Sequence, residues 1–149
     1  MSYIRFLTMV TVSTAIMFGL MYLNVFSFDH VFFSETRLFM ALIMGYVMAV
    51  VMLSFMLHMY TNMAANLAIY AGAAILFAGS LYLVRSQDTV GDVAWMKAMT
   101  PHHSIAILTS ERATITDPRA RKLADEIIEA QRREINEMKG LIADLEKGG

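Results

Sequence analysis

The chain has 149 residues, 57% of them hydrophobic, a formal net charge of -1 and no cysteine. Globular proteins average about 45–50% apolar residues, so an ordinary soluble domain is excluded. The lack of any basic tract excludes a nucleic-acid binder. Without cysteine there are no disulfides and no thiolate metal sites, leaving His, Met, Asp and Glu as ligands.

The apolar excess lies before Arg85, and the polar stretch Arg85-Ser86-Gln87-Asp88 divides the chain into residues 1–87 and 88–149. The expected fold is all-α: three transmembrane helices, then a soluble two-helix hairpin. The first apolar run, about 4–26, is long enough to span roughly 30 Å of hydrocarbon. It is too long for the apolar core of a cleaved signal peptide, about 7–15 residues, and no small-x-small cleavage site follows it. The second and third spans are expected near 38–59 and 64–84, joined by the tight turn Tyr60-Thr61-Asn62-Met63. Ala64, Ala68 and Gly72 recur every four residues on the third, the small-xxx-small pattern of close helix approach in lipid. Neither span holds Lys, Arg, Asp or Glu, which argues against a proton pump or ion-conducting transporter.

Positive charge at Met1 and Arg5, against Asp29 and Glu35 in the first loop, places the amino terminus in the cytoplasm. Arg85 pulls the other way. Three spans put the hairpin on the far side, which is the periplasm if the membrane is the inner membrane of a Gram-negative bacterium. Met40, Met44, Met48, Met52 and Met56 recur every four residues on the second span. They read either as a thioether path for a soft ion or as flexible packing side chains. The four-residue repeat drifts about 40° per step, which spreads them off one face. His30 and His58, near span ends, read as interfacial hydrogen bonders.

The first soluble helix opens near Asp92. Pro101 falls inside it, and either kinks it or, with Thr100 as cap, restarts it. Met96, Met99 and His103, spaced i, i+3, i+7, share a face that Ala106 and Ser110 continue with small side chains. His102 points about 100° away, so it binds a second ion, reaches another subunit or simply hydrogen-bonds. Imidazole and thioether suit Cu(I) and, to a lesser degree, Ag(I). Met138, on the next helix, closes such a site across the hairpin. Asp117-Pro118 is a helix start, and the second helix runs to about Leu145 before Gly148-Gly149 frays. Its expected apolar stripe is Leu123, Ile127, Met138, Leu141 and Leu145, with Glu134 in the middle and Gln131 one turn before. A carboxylate there needs a partner: a histidine of the first helix, a metal ion, or an arginine such as Arg112. Two helices bury little core, so the hairpin is expected to pair with a second copy into a four-helix bundle.

The run Met96-x-x-Met99-x-Pro101-His102-His103-x-x-Ala106-Ile107, followed by Leu123-Ala124-x-x-Ile127-Ile128-x-x-Gln131-x-x-Glu134-Ile135-x-x-Met138, resembles the bacterial "domain of unknown function 305" family. The resemblance covers residues 92 to about 145. It implies a ferritin-like helical hairpin associated with periplasmic copper or silver binding and resistance. It further implies Met96, Met99, His102, His103 and Met138 as metal ligands, supported by Gln131 and Glu134. Relatives often carry another methionine five residues after the second histidine, and here that position is Leu108.

The function expected is a membrane-anchored Cu(I) or Ag(I) binder that stores the ion or hands it to a copper transporter or chaperone, with no catalytic step. Thioethers need no deprotonation but histidine must be neutral, so affinity should fall below about pH 6. One alternative is a structural or regulatory membrane homo-oligomer without metal. Another is a ferritin-like redox enzyme, disfavoured because the inward carboxylates and Glu-x-x-His pairs of di-iron bundles are missing.

Overall fold

The computed structural model describes residues 2–148. Met1, counted above for its charge, and Gly149, expected to fray, lie outside the described residues. The described residues form five α-helices: α1 Tyr3–Leu20, α2 Glu35–Phe55, α3 Met63–Ser86, α4 Asp92–Arg112 and α5 Pro118–Lys147, with a 3-10 turn at Phe28–His30. No strand occurs among the described residues. Helices α1 to α3, of 18, 21 and 24 residues, are long and apolar enough to cross a membrane. The chain divides into two compact units that interleave along the sequence. One holds the chain up to Met21 together with Thr36–Thr89, the other Tyr22–Glu35 with the segment from Val90 on.

In the first unit, the small residues that bring helices together are on α2. Ala41, Gly45 and Ala49 are buried at four-residue spacing. A Cβ on Gly45 would stand 2.3 Å from Thr14 Oγ1 and 3.0 Å from Thr14 Cγ2, so α1 crosses α2 there at glycine distance. The expected stripe on α3 does not do this. Ala64 and Ala68 are exposed, a Cβ on Gly72 would meet nothing within 4 Å, and α3 instead buries Asn66, Ala73 and Ser80. At one end of the unit Phe6, Leu53 and Tyr60 are fully buried, with the Phe6 ring edge-on to Tyr60 at 5.4 Å. Tyr3 Oη donates to Asn66 Oδ1 (2.9 Å), whose amide donates to the Tyr60 carbonyl (2.7 Å), satisfying these polar groups within the apolar end. Asn62 caps α3 by accepting the Ala65 amide (3.1 Å).

Of the methionine repeat, Met40 and Met44 are exposed, while Met52 and Met56 pack against the cluster of Phe6 and Tyr60. The repeat therefore turns away from a single face within its length.

Helix α1 stops at Leu20, short of the expected 26, because residues 22–35 fold into the second unit. There they lie against the α4–α5 hairpin. Fully buried Ser104 accepts the Phe26 amide (2.7 Å) and lies 2.9 Å from His30 Nδ1. Lys139 bonds Asp29, and the Arg132 guanidinium covers the Phe26 ring at 5.7 Å. His30 is thus hydrogen-bonded, as an interfacial histidine is expected to be, and burial pushes its pKa below the usual value, with Asp29 opposing and Lys139 reinforcing. The Lys139 hydrogen bond is the main reason that the Asp29 carboxyl is lowered to about 2.

The hairpin core is Met96, Ile107, Ile135, Met138 and Ile142. This corrects the expected stripe of α5: it buries Ala124, Ile135, Met138 and Ile142, whereas Leu123, Leu141 and Leu145 stay exposed. The two strips are neighbours on one broad apolar arc, and α4 packs against the one that carries Ala124, Ile135 and Ile142. Helix α4 runs unbroken through buried Pro101, so the restart at Thr100 does not occur. Thr100, fully buried, turns its hydroxyl back to the Met96 carbonyl (3.0 Å) rather than capping a new helix. Lys97–Glu146 and Arg132–Glu111 ion pairs link the two helices across exposed positions, where each contributes little.

Candidate functional site

Three of the sequence-selected methionines come together in the hairpin. Met96 and Met138 are buried members of one apolar cluster, and Met99 packs against it half-buried. Met96 and Met99 reach it from consecutive turns of α4, and Met138 from α5, as i, i+3 spacing and an antiparallel partner dictate.

His103 follows Met99 by one turn. Its Nδ1 lies 3.0 Å from the Met99 carbonyl oxygen and its Nε2 2.8 Å from Glu134 Oε2. The side chain is 17% exposed, that of Glu134 42%. Of the three partners open to Glu134 on the sequence, the histidine of the first helix is bonded to it. Both ring nitrogens therefore face oxygen atoms. A neutral ring has one N–H and donates to one of them, and its other nitrogen turns a lone pair toward the second.

His102 is exposed. Its ring centroid is 6.2 Å from that of His103, with the planes at 66°, so the two adjacent imidazoles diverge. Gln131 lies half-buried one turn before Glu134, and Leu108 is half-buried on α4. Among the described residues no group of three or more His, Cys, Asp or Glu side chains is placed to hold a metal ion. The hairpin thus offers three thioethers in its apolar cluster and, next to the Met99 carbonyl, one imidazole bonded to one carboxylate, soft donors on the first and harder ones on the second.

Sequence reasoning missed Ser104 and the loop that docks on it. The serine reads as one more small residue on α4, and its partners are 74 and 78 residues away.

An uncharacterized protein of Acanthamoeba polyphaga mimivirus is 39% identical over 64 residues, a match covering 42% of each chain. The chain thus spans about two fifths of that relative's length. No solved structure matches. Residues 82–147, which contain the whole α4–α5 hairpin, match the family model of the domain of unknown function (DUF305), carried here behind three helices apolar enough to span a membrane.

Proposed function

We propose that this protein is a membrane-anchored metal binder that takes up Cu(I), and Ag(I) by the same chemistry, on its C-terminal hairpin for storage or handover. The observation that carries the reading is the meeting of Met96, Met99 and Met138 in one apolar cluster, with His103 one turn from Met99. Neutral thioether and imidazole ligands leave the charge of Cu(I) uncompensated, and a buried charge needs a partner. Glu134, bonded to His103, supplies the opposite charge beside the soft donors. His102 takes no part in this cluster and is free for a second ion or a transfer partner, a copper transporter or chaperone. Gln131 supports Glu134 from the preceding turn.

The anchor is the α1–α3 unit in a lipid bilayer. Residues 22–35 and the hairpin form one compact unit although two apolar helices separate them in sequence. This fits a chain that crosses at α1, returns through α2 and crosses again at α3. The hairpin then lies opposite the amino terminus, in the periplasm of a bacterial inner-membrane protein.

The test is copper content of detergent-purified protein after Cu(I) loading under reducing conditions. Wild type should retain copper, and both His103→Ala and the volume-conserving triple variant Met96→Leu/Met99→Leu/Met138→Leu should lose it. Retention by both variants would refute the reading. A purely structural homo-oligomer is the second reading. It is favoured by the same thioethers serving as hydrophobic core and by His103 being bonded through both nitrogens, and it predicts no copper in the wild type.

A further inference from the structure

One strip of α5, exposed at its leucines and buried at Met138, is palindromic about Glu134. Leu123 and Leu145 lie eleven residues to either side, Ile127 and Leu141 seven, and Ala130 and Met138 four. These offsets are about three, two and one turns of a 3.6-residue helix, so all seven residues share one line along α5. Leu123, Leu141 and Leu145 are 57%, 47% and 49% exposed, an unusual allotment for three leucines flanking a carboxylate. Laid antiparallel on the same strip of a second copy, with the two-fold axis at Glu134, each Leu123 meets Leu145 and each Ile127 meets Leu141 of the other copy. The strip is thus complementary to itself in apolar pattern, as a two-fold interface requires.

The axis also brings two His103–Glu134 pairs together. With Nδ1–H donating to the Met99 carbonyl, Nε2 turns its lone pair toward a carboxylate oxygen 2.8 Å away. A neutral ring in that tautomer meets the carboxylate lone pair to lone pair, which either a second ring proton or a cation between the two relieves, and a backbone-bonded Nδ1 with Nε2 left for the ion is how ligating histidines are commonly held. One pair supplies two donors, whereas structural zinc sites take four. Ligands at about 2.0–2.1 Å in a tetrahedron stand about 3.3 Å apart, so each pair has to open by only about half an ångström. We propose that two copies join along this strip and that His103 and Glu134 of both close a site for a divalent ion of borderline softness, Zn(II) being the probe. This rests on reading the hairpin as a metal binder, but not on its thioethers.

The absence of cysteine makes the register directly testable in the full chain in detergent. Ile127→Cys/Leu141→Cys should form a covalent dimer on mild oxidation, because the two positions meet only between antiparallel copies. Zn(II) should bind at one ion per two chains and lower the concentration for half-dimerisation by at least about tenfold, as a ligand specific to the dimer must. Glu134→Gln, nearly isosteric, should abolish that shift. No cross-linked dimer, dimerisation indifferent to Zn(II), or a Zn(II) effect that survives Glu134→Gln would each overturn the proposal. The triple methionine-to-leucine variant separates the two readings: it should lose Cu(I) yet keep Zn(II)-dependent dimerisation.

Discussion

Replacing Ser104 with alanine removes a buried oxygen to which the first loop is bonded and should release that loop while leaving the hairpin folded. The serine is fully buried, accepts the Phe26 amide at 2.7 Å and contacts His30 Nδ1 at 2.9 Å. Leaving one buried polar group without its partner costs about 1–3 kcal/mol. The amide carries most of that cost, since His30, with 13% of its side chain exposed, is able to turn toward solvent. Asp29–Lys139 and the Phe26–Arg132 contact remain, but an exposed ion pair returns at most about 1 kcal/mol. A loss of about 1–3 kcal/mol multiplies local opening by about 5- to 150-fold. Hydrogen exchange in detergent should therefore accelerate by that factor in residues 22–35, with residues 127–142 unchanged because their core of Ile107, Ile135, Met138 and Ile142 is untouched. Unchanged protection of the Phe26 amide would refute the view that Ser104 holds the loop.

The remaining predictions follow from packing and charge. Gly45→Ala should destabilise the membrane unit by about 1–3 kcal/mol through overpacking against Thr14, read as earlier unfolding in denaturing detergent, and Thr14→Ala should restore most of it. Met138→Leu should cost less than about 1.5 kcal/mol and Met138→Ala about 2–5 kcal/mol in thermal unfolding, while both weaken Cu(I) binding if the thioether is a ligand. Acidification should loosen the loop. His30 has a folded pKa below its unfolded value, so the unfolded state binds more protons, and the stability present above about pH 6.5 is lost as pH falls below it. Asp29, lowered to about 2, contributes above its unfolded value of 3.8 and loses that only between there and about pH 2, so exchange measured from pH 7.5 to 5 isolates His30. A loop whose protection is flat over that range would contradict the assignment.

The three apolar helices were legible because a span needs only length and composition, and the hairpin because Asp117-Pro118 and the Met96, Met99, His103 spacing are local signals. Which helix face meets which neighbour was not. Ala41-xxx-Gly45-xxx-Ala49 and Ala64-xxx-Ala68-xxx-Gly72 are the same pattern to a reader of one sequence. Only the crossing of α1, with Thr14 opposite Gly45, decides that the first is the contact. The end of α1 was hidden for a related reason. Residues 21–26 are apolar enough to continue a span, and what holds the chain outside the helix is distant in sequence: Arg37, which donates to the Met21 carbonyl, and a serine 78 residues downstream of Phe26.

The misreading of α5 has a different cause, and it bears on what the hairpin does. Its apolar positions form two strips about 100° apart, Leu123–Leu141 and Ala124–Ile142, an arc wider than a single facing helix covers. The fold buries the second, where Met96 and Ile107 of α4 cluster with Ile135, Met138 and Ile142. Were the leucine strip only a solubility defect, a charge placed there should improve the protein. If it is an interface, Leu141→Lys should instead abolish dimerisation in sedimentation runs while leaving hydrogen exchange in the Ile107–Ile135 core unchanged. A soluble, still dimeric Leu141→Lys protein would show that the strip has no partner.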